Sequence, residues 1–175
     1  MQSVLDDNTA NKWAFQLGIK GQHLFKVKGL YGQIEYNMAT PYTYGHIDST
    51  VAFTNYNQAL SHPLGAAFDE FMGFLSYEKD GFFVNLKLQY ATYLEDSLGF
   101  NYLGKDIFKS DNNSDQNQGL ALKTTLINQH LEIGYTFNRI TNLQTFIGFM
   151  NRTEINDFWE TQTQYVHFGV RTNFV

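Results

Sequence analysis

Seven stretches of this chain alternate apolar and polar residues with a period of two, a period that belongs to strands and not to helices. In Trp13 to Lys20, Trp13, Phe15, Leu17 and Ile19 share one parity against Ala14, Gln16, Gly18 and Lys20. From about Lys26 to Met38, Leu30, Gly32, Ile34, Tyr36 and Met38 oppose Tyr31, Gln33, Glu35 and Asn37. Ala67 to Glu78 sets Phe71, Gly73, Leu75 and Tyr77 against Glu70, Met72, Phe74, Ser76 and Glu78. A fourth run sets Val84, Leu86, Leu88 and Tyr90 against Asn85, Lys87, Gln89 and Ala91. From about Leu120 to Phe137, Ile127, Leu131, Ile133, Tyr135 and Phe137 oppose Asn128, His130, Glu132 and Thr136. Lys123 has the wrong parity there and Gln129 interrupts the apolar side, so the early part of this strand is expected to be either bulged or outside the packed region. Leu143, Ile147 and Phe149 against Gln144, Met150 and Arg152 make the sixth run. Val166, Phe168, Val170 and Phe174 against Tyr165, His167, Arg171 and Asn173 make the last.

The fold class expected is all-β and antiparallel. In a soluble sandwich this alternation divides core from solvent; in a transmembrane barrel it divides lipid from a wet lumen. Strand length favours the barrel, because several runs reach 11 residues or more, against about 5–6 in soluble sheets. Glu70, Glu78, Lys87, Glu132, Arg152 and Arg171 all fall on the polar parity. Reversals at Gly21-Gln22-His23, Lys79-Asp80-Gly81 and Arg139 to Asn142 are short, the second of the Asp-Gly hairpin kind. Long segments at about 39–66 and 95–118, and a further polar loop from Glu154 to Gln162, fall at the alternate reversals. Short turns on one rim and long loops on the other are the layout of an outer-membrane barrel, and Tyr36, Tyr77, Tyr90, Tyr135 and Phe174 suit its aromatic girdles. Residues 1–175 are therefore expected to form one partial barrel domain. Such barrels use an even strand number, so seven strands read as the C-terminal part of a larger one.

Composition narrows the classes further. Apolar residues make up 43%, yet mean hydropathy is −0.34, as close interleaving of the two kinds requires. The longest apolar run, Phe71 to Leu75, is far below the ~18 residues of a membrane helix. The opening MQSVLDDNTANK lacks the basic start and apolar core of a secretory signal. A net charge of −5 without clustered Lys or Arg disfavours nucleic acid as a partner. Without cysteine, disulfides and thiolate metal sites are excluded.

The stretch Ala39 to Phe68, ATPYTYGHIDSTVAFTNYNQALSHPLGAAF, has neither period and holds both prolines. A segment this long without regular structure is usually a functional loop. His46, Asp48, Ser49 and His62 supply the types of a Ser–His–acid set, but G-x-S-x-G is absent, as is a His shortly before Ser-Asn-Gly, and no enzyme is expected. His46 and His62, with Asp48 and Asp69, have no recognised ligand spacing. The 111–117 segment lacks the Gly and terminal Glu of an EF-hand, and SDNNSDQNQ reads as a solvated stretch. His130 and His167 are expected to be hydrogen-bonded in the lumen, so neither a metal nor a cofactor is expected. Binding is the remaining chemistry. Aromatic faces at Tyr42, Tyr44, Phe53 and Tyr56 beside Asn55, Asn57, Gln58 and His62 suit a sugar, whose C–H faces stack while its hydroxyls take hydrogen bonds. The candidate ligand-binding residues are Tyr42, Tyr44, His46, Tyr56, Asn57, Gln58 and His62. The same groups would equally satisfy one another in a loop folded into the barrel.

The loop also carries a resemblance. NYNQALSHPLGAAFDEF resembles the segment HYNQPLAHPLGANF-x-E of the Wzi-like capsule-assembly outer-membrane proteins, in their gliding-motility RemB branch. TPYTYGH is similar to the RPYTYSH preceding it, and NYLGKDIFKS to a later N-Y-G-x-D-I-F-K-S-like element. The chain departs at Thr40, Asn55 and Ala59, where the family pattern has Arg, His and Pro. The resemblance implies a large outer-membrane β-barrel without enzymatic activity, concerned with surface polysaccharide (capsule) attachment or with gliding of Bacteroidetes-type bacteria. Its implied partners are outer-membrane lipid, surface polysaccharide and other gliding or surface-assembly proteins.

Overall fold

The computed structural model describes residues 12–45, 54–56, 58–95 and 122–172. It contains one antiparallel seven-stranded sheet: β1 (Ala14–Gln22), β2 (Leu30–Ala39), β5 (Phe68–Lys79), β6 (Phe82–Glu95), β7 (Leu122–Asn138), β8 (Leu143–Ile155) and β9 (Glu160–Arg171). Each strand pairs with its neighbour in this order, and the sheet does not close, so β1 and β9 are its edges. A two-stranded hairpin, β3 (Thr54–Asn55) and β4 (Gln58–Ala59), stands in the connection between β2 and β5. No helix among the described residues is long and apolar enough to cross a membrane, which says nothing of strands.

Local chemistry explains the reversals. Asp80 and Gly81 both have positive φ (51° and 90°), the two-residue loop that matches the right-handed twist of its strands. Asn138 Oδ1 accepts the amides of Ile140 and Thr141 at 2.8 and 3.4 Å and folds the β7–β8 turn. Three expectations are corrected. The turn expected at Gly21 to His23 begins later, because β1 pairs with β2 through Gln22 and a 3₁₀ turn at Leu24–Lys26 follows. The loop expected at Glu154 to Gln162 is mostly strand: Asn156 Oδ1 accepts the Phe158 and Trp159 amides, both at 2.9 Å, and turns the chain in four residues. The bulge allowed for near Lys123 is absent, because β7 pairs with β6 without interruption from Leu122; the irregularity lies between Thr136 and Asn138. Phe174, His46 and Asn57 lie outside the described residues.

The two faces carry the parities read from the sequence. One row crosses the sheet as Gly18, Glu35, Met72, Gln89, Asn128, Arg152 and Thr163; its neighbour on the other face runs Leu17, Tyr36, Phe71, Tyr90, Ile127, Thr153 and Gln162. Burial is inverted from that of a soluble sheet. The polar face is the enclosed one: Glu70, Thr124 and Glu132 are buried on it, and the buried apolar cluster of Ala39, Phe68, Ala91, Tyr93 and Leu126 lies at one end of it. The apolar face is bare, with Ile19 75%, Ile34 63% and Phe168 85% exposed.

The apolar band also runs obliquely. On β1 it is Phe15, Leu17 and Ile19, centred on Leu17. Followed through the register, Leu17 arrives at Gln162 on β9, but the β9 band is Val166, Phe168 and Val170, centred six residues further on. A shift of six residues, at about 3.4 Å each, across six strand spacings of about 4.8 Å, inclines the band by about 35° to the hydrogen-bonding direction.

Candidate functional site: the loop-covered rim

The connection between β2 and β5 returns over the polar face at the end where the apolar cluster lies. Thr40 begins it, with its hydroxyl 3.0 Å from the Trp13 amide and 2.9 Å from the Thr43 hydroxyl. Lys12 Nζ donates to the Gly45 carbonyl at 2.8 Å and ties the other side of this turn down. The return segment, His62 to Ala67, is tightly seated. The Gly65 amide bonds to the His62 carbonyl at 2.8 Å, Gly65 takes φ +77°, and Ala66 and Ala67 are buried. A side chain at Gly65 would be strained by that backbone alone.

Beneath this segment lies Glu70, 1% exposed. Its Oε2 accepts from Asn37 Nδ2 at 2.9 Å and its Oε1 from Gln89 Nε2 at 2.7 Å, one donor from each flanking strand. The third partner comes from the loop: His62 Nε2 lies 3.3 Å from Oε2. His62 Nδ1 accepts the Leu64 amide at 3.3 Å, which leaves the ring's proton on Nε2, facing the carboxylate. The imidazole also stacks on Phe68, centroids 4.3 Å apart and planes 19° apart. A carboxylate this deeply buried is stable only with such a set of donors.

The structure divides the candidate ligand-binding residues. Tyr42, Tyr44 and His62 belong to the seated part. Tyr42 is buried with φ +59°, and Tyr44 packs against the apolar cluster. Burial pushes the Tyr44 phenol above its ordinary pKa, against the hydrogen bond from the His62 backbone. Tyr56, 95% exposed, and Gln58 sit on the small hairpin and face solvent. Between the seated part and β1 a cleft of about 460 Å³ opens, lined by Gln16, Asn37, Tyr44, His62, Phe68 and Met72 among others. Aromatic surface, two amides and an imidazole share its wall. A second groove of about 540 Å³ lies on the apolar face, between Ile19, Leu24, Phe25, Ile34, Leu86 and Leu88.

Glu70, Asn37 and Gln89 were missed as site residues. Each is an ordinary polar-parity residue in its own strand, and only the register sets Asn37 opposite Glu70.

A second polar cluster occupies the far end of the same face. Ser76 donates to Asn85 at 2.7 Å, and Asn85 to Glu132 Oε1 at 3.2 Å. Arg171 reaches Glu132 with Nη2 at 2.9 Å and Nη1 at 3.3 Å. The guanidinium carbon lies 5.3 and 4.8 Å from the ring centres of Phe83 and Phe146. His130 and His167, expected to be hydrogen-bonded, stack on each other at 5.2 Å, and the buried His167 Nδ1 has no hydrogen-bond partner among the described residues.

No family model matches the chain, and no curated protein or solved structure matches it.

Proposed function

We propose that the chain is part of an outer-membrane β-barrel protein that contacts surface polysaccharide through its 40–67 connection and serves capsule attachment or cell-surface gliding. The oblique apolar band carries this reading. Membrane barrels tilt their strands by about 35–45°, so a level belt of lipid-facing residues must cross the strands at that inclination. The bare apolar face agrees, since a soluble monomer rarely leaves so continuous a patch in water. The groove at Leu24 and Phe25 would then face lipid, and the edges of β1 and β9 would take the strands that close the barrel. Glycan contact is supported by the mixed wall of the rim cleft and by Tyr56 and Gln58 on the projecting hairpin. Binding is favoured over catalysis at His62, because both its nitrogens are engaged, with Leu64 and with Glu70. The resemblance of NYNQALSHPLGAAFDEF to the capsule-assembly segment points the same way.

The full-length protein is expected in the outer-membrane fraction. Leu86→Arg should impair its assembly by about 2–4 kcal/mol near the bilayer midplane, with Lys87→Gln mild by comparison. Recovery of the full-length protein as a detergent-free monomer with a cooperative melt would overturn the membrane reading.

A further inference from the structure

The polar face holds a second set of groups that the glycan reading does not use. His130 and Glu132 lie two residues apart on β7 and so point to the same side. His167 stands on β9, two strands away, and Gly148 lies between Glu132 and His167 in the register. Side chains two strands apart have about 9.6 Å to bridge, and here the bridge depends on Gly148 having none. A Cβ at Gly148 would collide with the His167 ring, which lies across the bare glycine towards β7. As a result one donor atom from each of His130, Glu132 and His167 falls within 4.8 Å of the other two.

Three further features bear on what such a set would hold. Neither imidazole hydrogen-bonds to any described residue, and His167 Nδ1 is buried without a partner. Glu132 retains acceptor capacity: its two oxygens offer about four lone-pair sites, while Asn85 and Arg171 supply three donors, only one of them to Oε2. Those same donors fix the carboxylate's orientation, as outer hydrogen bonds do for a metal-bound carboxylate.

We propose that His130, Glu132 and His167 form a binding site for one divalent transition-metal ion of the zinc type. Two imidazole nitrogens and one carboxylate oxygen suit zinc and its neighbours, whereas calcium and magnesium take oxygen ligands. Ligand atoms around a tetrahedral zinc lie about 3.4 Å apart, so binding draws the three side chains inwards from their present spacing and leaves a fourth position for water. Lys87, opposite His130, and Arg171 are cationic, so an ion attracted by charge alone would not be retained there and one held by direct ligation would. The inference rests on the sheet alone and stands whether or not the apolar face meets lipid.

The test uses the full-length protein in detergent micelles, stripped with chelator and titrated with zinc chloride by calorimetry, and with cobalt(II) by visible absorption. One equivalent of zinc should bind, and cobalt should give the intense d–d bands of a low-coordinate site. His130→Gln and His167→Gln should each weaken zinc by at least the roughly 10–100-fold that loss of an outer hydrogen-bond partner costs. Gly148→Ala keeps all three ligands yet should weaken zinc too, because it displaces the His167 ring. Circular dichroism of each metal-free variant checks that the sheet is intact; should one histidine variant fail to fold, the other and Gly148→Ala make the same distinction. Absence of zinc binding in the wild type would overturn the proposal. So would unchanged binding in the His130→Gln/His167→Gln double variant, which would place the ion at other histidines.

Discussion

Glu70 and Glu132 are both buried carboxylates on the polar face, six residues apart along the strands, or about 20 Å. Each receives three hydrogen bonds, but from different kinds of donor. Glu70 is held by two amides and the loop's His62, and the loop covers it. Glu132 is held by Asn85 and by Arg171, a cation with a side chain 44% exposed. At the rim the loop brings its own imidazole to the carboxylate, and both nitrogens of that ring are engaged. At the far end the imidazoles of His130 and His167 face each other with donor atoms to spare. The difference teaches that burial alone does not mark a site. A carboxylate whose partners are complete anchors structure, whereas one with acceptor capacity left, beside imidazoles that have no hydrogen-bond partner among the described residues, leaves ligand atoms available.

The comparison breaks most visibly at Glu70. Glu70→Leu leaves the buried Asn37 amide, the half-buried Gln89 amide and His62 without their acceptor, and should cost about 2–4 kcal/mol in denaturant melts. It should also expose the 40–67 connection to proteolysis, and equal protection of that connection in the variant and the wild type would refute the anchoring role. Glu132→Gln should cost less, about 1–2 kcal/mol, because Arg171 keeps part of its hydration when its partner's charge is removed. If the two costs were equal, cover by the loop would contribute nothing. Smallest in stability is Tyr56→Ala, expected within about 0.5 kcal/mol of wild type. Its effect should appear instead as weaker retention of surface polysaccharide on cells, and unchanged retention would move any glycan contact from the hairpin to the cleft at Tyr44.

Much of the fold was legible locally. A period of two fixes which side chains share a face whatever the strand pairs with, so Leu86 and Lys87 could be assigned to opposite faces without coordinates. Asp80-Gly81 fixes its own turn, because positive φ at both residues is a property of those two residues and their neighbours. The seven strands and the unusual 39–68 stretch followed from the same short-range signals. Where a strand ends was less legible: Glu154 to Gln162 is polar enough for a loop, yet the pairing of β8 with β9 carries the ladder to Ile155 and Glu160.

The sites depended on what the chain does not encode locally. Glu70 and His62 are eight residues apart, but their meeting requires the loop to double back over a carboxylate already framed by Asn37 and Gln89 from two other strands. His130 and His167 could be placed on the polar face from parity, and no parity could say that they touch. Contact needs β8 between them, a register that puts Gly148 in the gap, and a ring long enough to cross it. Alternation determined the faces because it is a property of consecutive residues. Register and reach were decided by the tertiary structure, because they are set by hydrogen bonds and side-chain volumes on strands that the local sequence does not contain.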